Sequence, residues 1–378
     1  MENIKITIAE NGTTTLATSG KYCDRNIDVE VNVPTGGGGD SGLPEEALLL
    51  TGDLTNKFYS NHWTWFIEKF GDQITTKDIT ALYSMFYYST VEEIPFALNC
   101  DSTKDIGMTR AFSDSKIKKA PTITNCYPYE FARLFEYCEY LREIPDDFVN
   151  GCVWDRAKAN TTTYLNCSAM FNGCSSIREI PFDFLNSGAF PKSKYSYCIY
   201  KELACNCYAL DSLKLPCFYT ATWTSSAFSG LVSGCCRLKE LTFDVQADGT
   251  PYTQDWKNQT IDLSYFVGYG NSESNIINYN SGITADKKVY DDATYQALKD
   301  DPDWFATDIN YSRYNHDSAV NTINSLPDTS AYLAANGGTN TIKFTGSSGT
   351  LTDGGAINTL TEEEIAVAAA KGWTVSLV

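Results

Sequence analysis

The feature that most constrains the fold is a recurring skeleton: an apolar residue returns at every third position and a proline closes the run. It is clearest in residues 168–184, as Phe171, Cys174, Ile177, Ile180 and Pro181. The same skeleton stands one unit upstream as Phe135, Cys138, Leu141, Ile144 and Pro145. Weaker copies run 85–95 (Val91, Ile94), 112–121 (Ile117), 207–216 (Leu210, Leu213, Leu215) and 228–243 (Cys235, Leu238, Leu241). The closing prolines Pro95, Pro121, Pro145, Pro181 and Pro216 recur about every 24 to 36 residues, the range of short stacked repeats, the longer ones carrying insertions. Such a unit cannot bury its apolar face alone, so neighbouring copies must cover it.

Within a unit, Phe-x-x-Cys is expected to form a turn of helix or 3₁₀ with its aromatic inward. Leu-x-x-Ile is expected to form a short strand, and stacked copies a parallel sheet. Proline ends the strand because it has no N–H for the ladder. Between the two apolar residues stand Glu92-Glu93, Lys118-Lys119, Arg142-Glu143, Arg178-Glu179 and Lys239-Glu240. Stacking in register predicts Glu92 beside Lys118 and Lys119 beside Glu143. As exposed ion pairs these are worth at most about 1 kcal/mol each. As a binding strip they single out Arg142, Glu143, Arg178 and Glu179.

The flanks differ from the array. In residues 1–33, Ile4, Ile6 and Ile8 alternate with polar residues. Asn11-Gly12 turns, and Ile27, Val29, Val31 and Val33 alternate again, as in a small β-hairpin module. Residues 34–42 hold four consecutive glycines and form a flexible linker. This arrangement points to an anchor, resting on Ile4, Ile6, Ile8, Ile27, Val29 and Val31, joined to a displayed body. Residues 43–80 are an N-terminal cap, with a helix carrying Trp63, Phe66, Ile67 and Phe70 and stopping at Gly71. Residues 81–310 are the repeat array with a closing segment at 288–309, and 311–378 add helix–strand units and a cap. There Ala319, Ile323 and Leu326 share a helix face, and Thr361 with Glu364 caps a helix that stops at Gly372 before a terminal strand.

Composition narrows the functions. A net charge of -18 disfavours nucleic acid and anionic membrane, both polyanions. No apolar run is long enough for a transmembrane helix. The first residues lack the basic start and apolar block of a signal peptide, so general secretion is not expected. The 13 cysteines are then expected as free thiols, Cys138, Cys174, Cys207 and Cys235 packing in the core at one phase of the repeat. With two histidines and no paired Cys-x-x-Cys, neither a metal nor a cofactor is implied. The aspartates of 291–303 lack the order and glycine of a calcium loop. Among 47 acidic residues, carboxylate pairs at glycosidase spacing arise by chance, and no motif selects one, so no enzyme is expected. Aromatics in the insertions, Trp154, Tyr164, Tyr195, Tyr197, Tyr219 and Trp223, are candidates for glycan or protein contact.

With these motifs laid out, residues 80–378 resemble the BspA-like leucine-rich repeat proteins. The likeness is carried by Met170-Phe171-x-x-Cys174-x-x-Ile177-x-x-Ile180-Pro181, by the Phe135 copy, and by the segment with Asp303-Trp304 and Ile309. It implies an α/β repeat fold, a leucine-rich-repeat solenoid with a short parallel sheet, used for adhesion and recognition rather than catalysis. Members of that family are secreted surface proteins with export signals, which this sequence lacks. The N-terminal module, with Glu10-Asn11-Gly12-Thr13 and Gly20-Lys21-Tyr22, resembles short β modules that begin structural proteins of tailed bacteriophages. That resemblance implies a virion protein assembled in the host cytoplasm. It would contact other virion proteins through its N-terminus and a host cell-surface glycan or protein through the array. The alternative is a bacterial surface adhesin. Fibres are often trimeric, but no heptad run marks a homo-oligomer.

Overall fold

The computed structural model describes residues 7–8, 13–22, 25–34, 48–60, 64–145, 148, 164–181, 197–207, 209–216, 228–235, 238–251, 256–263, 314, 316–344 and 360–377. At the N-terminus, β1 (Thr7–Ile8) pairs antiparallel with β2 (Thr13–Tyr22), and β2 with β3 (Arg25–Pro34). Ile27, Val29 and Val31 stand at alternate positions opposite Gly20, Thr18 and Leu16. Strand β2 is not visible as an alternating run, because Leu16 is nearly alone among threonines and polar residues. Its β-branched residues and its partner make it a strand. Ile4 and Ile6 lie outside the described residues.

The array starts earlier than the repeat skeleton indicates. Strand β4 (Leu49–Asp53) runs parallel to β5 (Thr75–Ala81), with α1 (Thr64–Phe70) between them in sequence. Ile67 of α1 is buried and Phe66 and Phe70 pack on the core, as the helical spacing predicts. Beyond it, β6 (Leu98–Asn99) pairs in parallel with β8 (Ile123–Thr124). Strands β7 (Ile106–Gly107), β9 (Pro128–Glu130), β10 (Tyr164–Asn166) and β11 (Tyr197–Ile199) form one parallel sheet in the order β7-β9-β10-β11. This sheet lies just before each Phe-x-x-Cys segment, not after it.

The Phe-x-x-Cys segments are not helical. They are ribbons of turns at 54–60, 82–89, 108–115, 131–138, 167–174, 200–207 and 228–235. In 131–138, Phe131, Arg133, Phe135 and Tyr137 donate their backbone N–H to the carbonyls of Asn166, Ser168, Met170 and Asn172 in the next ribbon, at 2.7–2.8 Å. Leu134, Glu136 and Cys138 donate instead to residues three back in their own ribbon. The alternation comes from left-handed residues four apart: Ser84 and Tyr88, Arg110 and Asp114, Arg133 and Tyr137, Ala169 and Gly173, Glu202 and Asn206. Each left-handed residue stops the chain winding into a helix and swings alternate amides sideways toward the neighbouring tier.

Side chains then stack in columns. Phe58, Phe86, Phe112, Phe135 and Phe171 lie ring on ring, with centroids 4.9, 5.6, 5.1 and 5.8 Å apart and planes within 9–14°. A second column runs Tyr200, Phe228, Trp256 and Trp373 and ties the array to the C-terminal strands. The cysteine column explains its own residue choice. Cys138, Cys174, Cys207 and Cys235 donate Sγ–H to the carbonyls of Phe112, Phe135, Phe171 and Ala204, each in the preceding tier, at 2.9–3.0 Å. Burial pushes these thiols up, Cys138 to about 12, so the proton needed for donation stays on sulfur. Cys100, Cys126, Cys138, Cys167, Cys174, Cys205, Cys207 and Cys235 are free.

After each ribbon the charged segment runs extended. It is bridged only locally at Lys119 with Glu143 and Glu179 with Ser212, and becomes a regular parallel pair in β12 (Ser212–Pro216) and β13 (Glu240–Asp244). The expected continuous strand ladder over all units is therefore replaced, among the described residues, by isolated bridges, with regular paired strands only in the last two. The C-terminal region sets β14 (Thr260–Leu263), β15 (Asn340–Phe344) and β16 (Trp373–Leu377) in a parallel sheet, with α2 (His316–Ser325), α3 (Ser330–Asn336) and α4 (Glu362–Ala370). Buried Asn340 joins them: its amide nitrogen donates to the Trp256 carbonyl at 2.9 Å, and its oxygen accepts from the Gln259 N–H at 3.0 Å. The capping box at Thr361 and Glu364 is present as the sequence predicts. The closing segment 288–309 lies outside the described residues.

Two predictions follow from this packing. Cys174→Ser keeps a donor to the Phe135 carbonyl, as Ser115 already occupies the same column. Cys174→Val removes this second bond, the carbonyl keeping the Cys138 N–H at 3.0 Å, and is expected to cost roughly 0.5–1.5 kcal/mol. Urea unfolding midpoints should thus rank native, then Ser, then Val, the two variants in the reverse of their own hydrophobicity order. His316 of α2 lies between Glu364 at 3.1 Å and Asp317 at 3.2 Å, and its hydrogen bond to Glu364 is the main cause raising its pKa above the ordinary value. Its stabilisation is full below the unfolded pKa of about 6.5 and is lost as pH rises through the higher folded value. The thermal midpoint difference between native chain and His316→Gln should shrink from about pH 6 to about pH 8.

Candidate interaction surfaces

The extended segments present Arg142, Glu143, Arg178 and Glu179 to solvent, while Leu141, Ile144, Ile177 and Ile180 point into the core. This division follows the spacing of the apolar residues, two charged residues standing between each buried pair. The register prediction holds: Lys118 Nζ meets Glu92 Oε2, and Lys119 Nζ meets Glu143 Oε1, each at 2.5 Å. The Arg142 N–H also donates to the Lys118 carbonyl at 2.9 Å, and the Asp211 N–H to the Arg178 carbonyl at 3.0 Å. Farther along, Lys214 reaches Asp244 and Lys343 reaches Asp262, both at 3.6 Å across paired parallel strands. The strip is therefore a run of side chains of alternating sign, partly neutralised from tier to tier.

Trp154, Tyr195, Tyr219 and Trp223 lie outside the described residues. The backbone of Tyr197 is in β11, opposite Tyr164 of β10. The structure brings together a different set of aromatics, on the outer face of the turn ribbons. Tyr59, Tyr87 and Tyr88 cluster across two tiers, with ring centroids 4.2 Å apart for Tyr87 and Tyr88, 5.7 Å for Tyr59 and Tyr87, and 6.4 Å edge-on for Tyr59 and Tyr88. The Arg110 guanidinium of the next tier lies 5.9 Å from the Tyr87 ring centroid. A hydrogen bond with Tyr88, then burial, pushes the Tyr87 hydroxyl up to about 12. Tyr137, two tiers beyond Tyr88, lies over Gly173: a Cβ there would come within 2.4 Å of its ring.

Tyr88 and Tyr137 are also conformationally costly. Both have φ +57°, a region that costs an ordinary L-residue roughly 1–2 kcal/mol. The same column carries Gly173, Asn206 and Gly234 in later tiers, residues that accept this backbone readily. The cluster is not visible in the sequence, because the helical turn expected for these segments would send the side chains in other directions than the ribbon does. The one available signal was the dipeptide Tyr87-Tyr88 immediately after the inward Phe86.

Acidic groups at the strand–ribbon junctions serve the turns. Asp53, Asp101 and Asn166 accept the N–H two residues on, and so does Glu130, from Ala132 at 3.3 Å. Burial pushes the Glu130 carboxyl up to about 7, against the pull of the Ala132 N–H and Asn166. A carboxyl with a raised folded pKa gives stability that is full below the unfolded value of about 4.3 and lost as pH rises toward 7. Glu130→Gln is accordingly expected to raise the thermal midpoint at about pH 8 and to change it little at about pH 4, measurable by calorimetry.

Among the described residues, no group of three or more His, Cys, Asp or Glu could hold a metal ion, and no helix is long and apolar enough to cross a membrane. No family model matches the chain, and neither a curated protein nor a solved structure matches it.

Proposed function

We propose that the tiers are coils of an α/β leucine-rich-repeat solenoid, and that the chain is a non-enzymatic virion structural protein of a tailed bacteriophage. In this reading the N-terminal sheet docks onto other virion proteins. The glycine-rich linker spaces the array from them, and the array is displayed for host-surface adhesion or recognition. The observation that carries it is the construction of the array. Ribbon after ribbon spends its backbone amides on the next tier and its apolar side chains on a continuous core, so the outer faces are free to vary in chemistry. The ten-residue antiparallel register of β2 and β3, placed before four consecutive glycines, supports a separate docking module.

The test is location and truncation. Mass spectrometry of purified particle subassemblies should find the full chain on the virion. A chain lacking residues 1–42 should fold with an unchanged thermal midpoint yet be absent from particles. Retention of the truncated chain on particles contradicts the docking role. Detection of the full chain on a bacterial envelope, with none in particles, supports the surface adhesin instead.

A further inference from the structure

We propose that the outer face of the turn ribbons, over the tiers from 54–60 to 131–138, binds a neutral glycan, with Tyr87, Tyr88 and Tyr137 as stacking platforms and Arg110 and Asp114 as hydrogen-bonding groups. This inference rests on the recognition reading above and names the partner and the face.

The first argument is the misfit of residue and backbone. The column holding Tyr88 and Tyr137 requires a left-handed residue in every tier, and the other tiers fill it with small or short polar residues, Ser60, Asp114, Gly173, Asn206 and Gly234. A tyrosine there serves neither the backbone nor the core. Tyr88 is 49% exposed and Tyr137 48%, so about half of each side chain faces solvent. Costly backbone placement of a large exposed ring points to a surface role.

Geometry supplies the second argument. Tyr59, Tyr87 and Tyr88 lie within 4.2–6.4 Å of one another on adjacent tiers, close to the size of one sugar ring. The inter-tier amide ladder holds them in place before any ligand arrives, which lowers the ordering cost of binding. Aromatic faces attract the C–H faces of pyranose rings, and guanidinium and carboxylate groups pair with vicinal hydroxyls.

Charge selects among ligands. The chain carries -18 overall, yet on this face Arg110 and Arg133 stand with Asp114, and Arg133 Nη1 lies 3.7 Å from Oε2 of the buried Glu136. A polyanion would meet the Asp114 carboxylate, and a polycation the two guanidiniums. A neutral polyhydroxylated ligand meets donors and acceptors without either repulsion.

The experiment uses the full chain in affinity gel electrophoresis through dextran, mannan, laminarin and galactomannan, with heparin as the polyanionic control. It is paired with adhesion to intact cells of a bacterial panel. At least one neutral polysaccharide should retard the native chain. The double variant Tyr88→Asn with Tyr137→Asn should weaken that binding at least tenfold. Asparagine accepts the left-handed backbone, so the variant's unfolding midpoint should be no lower than native, and Glu363→Gln, an exposed change on the C-terminal helix α4, should bind as native does. Retardation by heparin alone, by none of the neutral polysaccharides, or equally for native and double variant overturns the proposal. Cell adhesion that survives the double variant, or that protease treatment of the cells abolishes, overturns the glycan site while leaving the recognition reading standing. A native chain that neither adheres to cells nor is retarded by any polysaccharide overturns both.

Discussion

The structure depends on one interaction, the lateral hydrogen bond from a turn ribbon to the ribbon of the next tier. A chain that runs out, turns and returns in units of a few dozen residues exposes many backbone amides, and burying them unpaired would cost more than the core returns. The ribbons solve this with left-handed residues four apart, which aim alternate N–H groups at the neighbouring tier. Once that spacing is fixed, equivalent side chains must fall above one another. The columns follow from the ladder, and the core is as long as the stack.

The ladder also decides which side chains each column tolerates. A planar ring suits a column repeated at inter-strand spacing, so Phe58, Phe86, Phe112, Phe135 and Phe171 stack nearly parallel. The column ends where Ala204 follows, and a second aromatic column, from Tyr200 to Trp373, carries the core on. The cysteines occupy a position with room for one small group beside a carbonyl that already accepts one backbone N–H and can accept a second donor. A thiol fills the space as a small hydrophobe and supplies a weak donor. A residue type that invites thoughts of metal or redox chemistry is here explained by packing and one hydrogen bond.

Much of this was legible in the residues. The skeleton of Phe171, Cys174, Ile177, Ile180 and Pro181, matched against its copies, predicts inward aromatics and thiols and outward charged pairs, and all are placed so. The pairing of Lys118 with Glu92 and of Lys119 with Glu143 was predictable because register fixes neighbours once the repeat is aligned. The caps at Thr361 and Gly372 carry local chemistry that sequence states directly. Three things were not legible. The first tier, 54–60, lacks the proline and the cysteine, and the stacking of Phe58 on Phe86 together with the amides of Asn56, Phe58 and Ser60 given to the next ribbon reveals it. The left-handed positions are filled by Tyr, Arg, Asp, Ala and Glu as often as by Gly or Asn, so no residue type announces them. The tyrosine cluster depends on both.

The sequence by itself determined the repeat, the inward and outward sides of each charged segment, and the existence of a distinct β module before the glycines. These are set by local alternation and by identity between copies, which need no knowledge of distant contacts. Tertiary structure alone decided that Phe-x-x-Cys becomes a left-handed-turn ribbon rather than a helical turn. It also decided that the regular sheet precedes the motif, and that Tyr59, Tyr87 and Tyr88 share a face with Arg110. The physical reason is that a backbone conformation unfavourable for an isolated chain becomes favourable when a neighbouring tier accepts its hydrogen bonds. That gain appears only after the tiers have stacked.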